Sequence, residues 1–236
     1  MKLKFDRRFL FGVLVTALIG VFFRFAPVQA QTSKYQTTSE FAQYQPQYQV
    51  ILAHETNYGD RFATDVKGNL LSHQPIAVLH ETVGSASSAI NLFRSPHYND
   101  SQQVSYHALI TLNGTVIYIV PPEKRAFGAG NSAFKTASGV ETVQTNPSLA
   151  PSVNNFAYHV SLETPSDGRN NNNRSHSGYT DAQYKSLAWL LAQSSIPDGR
   201  ITTHKSVDLS GLKQDPRSFD NNKLLTILRT YRQPVS

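Results

Sequence analysis

The spacing of apolar residues changes period several times along this chain, and each change marks an element. Ile76, Ala77, Val78 and Leu79 form a continuous apolar run that stops at His80, as expected of a strand covered on both faces. Ala86, Ala89, Ile90 and Phe93 then recur at helical spacing, with Pro96 just beyond, predicting a helix over 85–93. Residues 106–112 and 115–120 flank Asn113-Gly114, a hairpin signal whose two turn residues suit the positive φ angles of a type I′ turn. Residues 158–163 predict a further strand ending at Glu163. Thr180 and Gln183 have the spacing of a capping box, opening a helix that sets Tyr184, Leu187, Ala188, Leu191 and Ala192 on one face. Ile201, Thr202 and Thr203 lead as a strand into His204, and residues 221–232 predict a last helix. Such alternation over about 145 residues is enough for one core, so the expected fold is α/β, a single domain with a central mixed β-sheet flanked by helices.

Upstream the pattern differs. Lys2, Lys4, Arg7 and Arg8 precede an apolar stretch over 9–23, and Val28-Gln29-Ala30 supplies small residues for cleavage, so residues 1–30 predict a secretory signal peptide. The stretch is short of the roughly 20 residues that span a bilayer, and no stable membrane insertion is expected after cleavage. Residues 31–49, rich in Gln, Tyr, Thr and Ser without a period, predict a flexible linker, although the tyrosines and Phe41 have the alternative of packing on the domain. Ile51, Leu52 and Ala53 suggest a short strand opening the domain at 50–236, with its core in 75–220.

Charge changes the picture little. The whole chain carries 22 Lys and Arg against 16 Asp and Glu, but five of the basic residues and Asp6 lie in residues 1–30. What remains is near neutral, so nucleic acid is not an expected partner. The chain has no cysteine, so an exported protein of this sequence rests on its core and on any metal it binds rather than on disulfides. Periplasm or cell wall is the expected location, and a monomer the expected state.

The densest chemistry is the segment from His204 to Asp215, which puts an imidazole, Lys213 and a carboxylate on one short loop. Zinc takes imidazole nitrogen and carboxylate oxygen, and a catalytic zinc site uses three protein ligands with a fourth position open. His80, rigid at a strand end, is the candidate third ligand. His54 competes, because Leu52-Ala53-His54-Glu55-Thr56 echoes Val78-Leu79-His80-Glu81-Thr82. His80 is preferred because the strand, helix and hairpin follow it in order. The bland reading of His80, His204 and Asp215 is three ordinary polar residues, some of them placed by chance among eight histidines. Two neutral imidazoles and one carboxylate leave a zinc centre net positive, which brings the pKa of bound water toward about 7.

Taken together, His80, the Val104-Ser105-Tyr106-His107 block, the Val160-Ser161-Leu162-Glu163 block, and His204 with Lys213-Gln214-Asp215-Pro216 resemble the zinc-dependent N-acetylmuramoyl-L-alanine amidases shared by phage lysozyme-amidases and peptidoglycan recognition proteins. Four blocks in order across about residues 75–220 are far more specific than any one of them. The resemblance implies that fold, Zn2+ on His80, His204 and Asp215, and hydrolysis of the bond between the N-acetylmuramoyl lactyl group and L-alanine. Peptidoglycan or muropeptides are the implied partners. Glu163 is then the candidate general base, Lys213 the stabiliser of the oxyanion, and Tyr106 the residue facing the metal, where it could bond the oxyanion or orient substrate. Taken alone, Glu163 would read as a surface carboxylate and Lys213 as a solvated one. His107 is expected to be buried and structural, and His159 to be a sheet-face residue with a substrate contact as the alternative. Two departures from the pattern stand out: Phe127 and Gly128 occupy a segment that usually reads Ala-Trp-His-Ala-Gly, and Glu81 follows the ligand where His or Asn is common. The runner-up function is a non-catalytic peptidoglycan-binding module of the same fold. A zinc protease would need a His-Glu-x-x-His helix, which the sequence lacks.

Overall fold

The computed structural model describes residues 34–235; the expected signal segment, 1–30, lies outside the described residues. Along the chain run β1 (Tyr35–Thr37), α1 (Ser39–Gln43), β2 (Tyr48–Val50), β3 (Tyr58–Asp60), β4 (Ile76–Glu81), α2 (Ala86–Arg94), β5 (Ala108–Ile110), β6 (Val116–Tyr118) and β7 (Lys124–Ala126). They continue with β8 (Phe134–Thr136), β9 (Gly139–Glu141), β10 (Ala157–Leu162), α3 (Asp181–Ala192), β11 (Ile201–Thr203), α4 (His204–Val207), α5 (Asn221–Tyr231) and β12 (Arg232–Pro234).

The main sheet has six strands in the order β11-β4-β10-β5-β6-β2. It is mixed: β5 and β6 form the antiparallel hairpin, and every other neighbouring pair is parallel. β4 and β10 are adjacent interior strands with all their residues buried, which is why both read as near-continuous apolar runs. One face, with Ala77, Leu79, Tyr158, Val160 and Leu162, packs on α3 and α5 through Leu187, Leu190, Leu191, Leu224 and Leu228. Each fully buried leucine there contributes about 1.5–3 kcal/mol. The other face carries His80, His159 and Ser161, and α2 packs beside it through Ala86, Ala89 and Phe93. The caps follow the sequence: the Ser85 hydroxyl accepts from Ser88 N at the start of α2, and Thr180 with Gln183 closes the capping box of α3. No described helix is long and apolar enough to cross a membrane.

Two expectations need correction. Residues 34–49 are not a flexible linker. β1 pairs antiparallel with β12, β2 pairs with β6 as the edge of the main sheet, and α1 lies on α3 and α5. Phe41 stacks on Trp189 at 5.8 Å between ring centroids, Tyr44 stacks on Tyr231 at 5.9 Å, and the Tyr44 hydroxyl meets the Ser186 hydroxyl at 2.8 Å. Single aromatic anchors leave no period to read, whereas the expected strand at Ile51 falls just after β2. The hairpin turn also differs. Only Gly114 has positive φ, at 86°, and Gly114 N donates to Thr111 O, so the turn is built over Leu112 and Asn113 with the glycine closing it. The Asn113 side chain accepts from Thr115 N, which satisfies the turn without putting Asn113 itself at positive φ.

Candidate metal centre

β4 delivers His80 fully buried near the C-terminal end of the strand. β11 runs parallel to β4, so the chain leaving it brings His204, the first residue of α4, beside His80, with 4.6 Å between ring centroids. The loop after α4 returns Asp215, because Lys205 N donates to Asp215 O. Asp208 shapes that loop by accepting from Ser210 N and Lys213 N. The outcome is convergence: His80 Nδ1 lies 3.2 Å and His204 Nδ1 3.1 Å from the Asp215 carboxylate, and one ligand atom from each residue falls within 4.8 Å of the others.

Burial lowers the His80 pKa to about 4, with the nearby His204 acting in the same direction against the hydrogen bond that Asp215 accepts. Burial opposes ionisation of Asp215, but hydrogen bonds from His204 and His80 outweigh it and hold that carboxylate well below its ordinary range. The His80–Asp215 contact is therefore a hydrogen bond between a neutral imidazole and an ionised carboxylate rather than an ion pair at neutral pH. Neutral imidazole and ionised carboxylate are the forms that bind a metal, so the donor set fits zinc in both identity and charge.

Tyr106 stacks on the His80 ring at 4.3 Å and meets Phe93 edge-on. Burial first, then the charges of Asp215 and Glu81, push its phenol up, so the hydroxyl stays a hydrogen-bond donor. Lys213 is exposed on the loop and near enough for its charge to act on His80. Glu163 is where the structure departs from the role read from sequence. Its carboxylate accepts from Ala86 N at 3.0 Å, Leu112 N at 3.0 Å and Arg169 Nη2 at 2.8 Å, and it makes no hydrogen bond to His80, His204 or Asp215. The register explains this: Ser161 lies opposite His80, and Glu163 is two residues further on, about 6.6 Å along the strand. The carboxylate ties the first turn of α2 and the hairpin turn to the end of β10. His54 is absent from the cluster; its Nδ1 caps a short turn by accepting from Thr56 N.

The two departures in the sequence find their reasons here. A Cβ on Gly128 would lie 2.5 Å from His159 Nδ1, so the space is taken by the His159 ring. Glu81 is buried in an ion pair with Arg217, Nε to Oε1 2.6 Å, and also accepts from the Tyr179 hydroxyl at 3.3 Å and contacts His176 Nε2 at 3.1 Å. Arg217 thereby joins the residue after one ligand to the segment just past another. Sequence reasoning did not find Arg217, whose spacing from Asp215 carries no periodic signal. It noticed Gly128 only as an oddity, and its side-chain partner His159 only as a sheet-face residue.

Among curated proteins none matches the sequence. Solved structures do: an AmpD derivative aligns with TM-score 0.53 at 21% identity over 78% of this chain and 96% of that one, which establishes the shared fold. AmiD from E. coli, an N-acetylmuramyl-L-alanine amidase solved with anhydro-N-acetylmuramic acid-L-Ala-D-gamma-Glu-L-Lys, aligns with TM-score 0.48 at 18% identity over 73% of this chain and 66% of that one. LysC from Clostridium intestinale aligns with TM-score 0.47 at 16% identity over 78% and 99%. The N-acetylmuramoyl-L-alanine amidase family profile matches residues 73–218, which covers every residue of the cluster and more than half of the chain, and the protein belongs to that family.

Proposed function

We propose that the protein is an exported, zinc-dependent peptidoglycan hydrolase that cleaves the amide bond between the N-acetylmuramoyl lactyl group and L-alanine. The observation that carries the reading is the convergence of His80, His204 and Asp215 in a chain of the amidase family. When bound there, zinc supplies Lewis acidity toward the amide carbonyl and activation of water. Tyr106, held against His80 with its phenol protonated, donates a hydrogen bond toward the carbonyl oxygen as negative charge develops on it. Lys213, exposed on the loop that carries Asp215, brings a positive charge that stabilises that same developing negative charge. Residues 1–30 carry the export signal, and the near-neutral remainder suits a peptidoglycan substrate better than a polyanion.

Digestion of purified sacculi with the protein, followed by mass analysis, tests the reading. Free stem peptides beginning at L-alanine, with glycan strands intact, are expected. Disaccharide products, peptide-internal cleavage, or binding without release would each refute amide hydrolysis at this bond.

A further inference from the structure

The buried face of β10 carries a histidine that the reaction above does not use. His159 is completely buried, and its Nδ1 lies 2.9 Å from His80 Nε2, the ring nitrogen opposite the one facing Asp215. We propose that His159 is the positioning residue of the metal centre, a buried hydrogen-bond acceptor that fixes the tautomer and orientation of His80 so that Nδ1 is presented to the ion. The proposal rests on the zinc reading above.

The geometry supports it from both sides. Once His80 gives Nδ1 to a metal, its Nε2 has to carry the hydrogen, and a buried N–H needs an acceptor. His159 Nδ1 is that acceptor. His159 is itself held by a reciprocal pair: His107 N donates to His159 O at 2.9 Å, and His159 N donates to His107 Nδ1 at 2.9 Å. His107 can accept at Nδ1 because its Nε2–H donates to Lys124 O at 3.1 Å. Its ring also stacks on that of Tyr158, on the neighbouring strand β10, at 4.7 Å. The splint thus runs from a backbone carbonyl in β7 through two histidines to the ligand. Gly128 completes it from the side, since any side chain there would enter the His159 ring. With Nδ1 accepting, the hydrogen of His159 sits on Nε2, a buried atom without a partner; an unpaired polar atom costs stability, as a residue kept for its other nitrogen would.

The test measures metal affinity and ligand geometry rather than turnover. Zinc affinity by competition with a chromophoric chelator and the d–d absorption of the cobalt form are compared in the full chain, His159→Leu, His159→Asn and Gly128→Ala. Loss of an outer partner of this kind weakens metal binding by about 10–100-fold, and that loss, with a shifted cobalt spectrum, is expected for His159→Leu. His159→Asn sets an amide oxygen near the position of Nδ1 and should recover most of the affinity. Gly128→Ala leaves His159 in place but displaces its ring, so it should weaken zinc in the same direction, and it carries the test if His159→Leu fails to fold. Zinc affinity and cobalt spectrum unchanged in both His159→Leu and Gly128→Ala would overturn the proposal, as would a parent chain that holds no zinc. A parent that binds both metals in this pattern yet releases no peptide from sacculi would support the positioning role and refute the amidase reading.

Discussion

At the scale of single residues, what a side chain touches decides between roles that its sequence position leaves open. Glu163 ends an apolar strand, which suggested a base, but three donors already occupy its carboxylate. Glu163→Gln is therefore expected to bind zinc at full stoichiometry while losing about 1–3 kcal/mol of stability, the usual cost of disrupting hydrogen bonds to a buried charged group. Urea denaturation and elemental analysis check this. A variant as stable as the parent and zinc-replete but without turnover would return Glu163 to the reaction. The faces of β10 were legible, because alternation puts His159, Ser161 and Glu163 on one side. The position along the strand was not, because only the register of Ser161 against His80 says which of the three stands at the cluster. The ligand set was legible only through the resemblance, because the pairing of β11 with β4 is what brings His204 and Asp215 to His80, more than 120 residues away by the numbering.

At the scale of elements, the regular ones followed from local physics. The Thr180 capping box, the apolar run of β4 and the helical spacing of α2 each state their own structure. The first segment could not, since Phe41 and Tyr44 gain their stability from Trp189 and Tyr231, nearly 150 and 190 residues away along the chain by the numbering itself. Phe41→Ala should thus destabilise the fold by about 1–3 kcal/mol, less than a fully buried phenylalanine because the ring is only partly covered. A thermal melt checks it, and an unchanged midpoint would make residues 34–49 a linker after all. The Glu81–Arg217 pair joins β4 to the segment after Asp215, and here the asymmetry of buried charge applies. Arg217→Met removes the guanidinium partner of buried Glu81 and leaves only Tyr179 and His176 against it, with an expected loss of about 3–5 kcal/mol, whereas Glu81→Leu together with Arg217→Met should recover much of it. Equal stability of the single and double variants would show that the pair does not act as a unit.

At the scale of the whole molecule, the buried histidines set an acid limit. His80 is lowered to about 4, and His107 and His159 well below 6.5, in each case chiefly by burial. In the unfolded chain all three take up protons near pH 6.5, so the unfolded state binds more protons than the folded one below that point. Stability contributed by these groups is present above pH 6.5 and is lost as pH falls toward 4. Three protons correspond to a slope approaching about 4 kcal/mol per pH unit for the metal-free protein. Urea midpoints at pH 7.5, 6.5 and 5.5 measure it; a flat profile would mean that these rings are protonated in the folded state.

The pairing of β1 with β12 gives the chain a property that no list of its elements suggests. Val235 N donates to Lys34 O at 3.0 Å, and Tyr35 faces Pro234, so the two ends of the described chain lie side by side. Topologically the backbone is almost a ring with one nick in it. A few residues bridging 235 to 34 would close that ring. Whatever is joined before β1 or after β12 leaves from the same spot on the surface, so a tether at one end and a cargo at the other would start as neighbours.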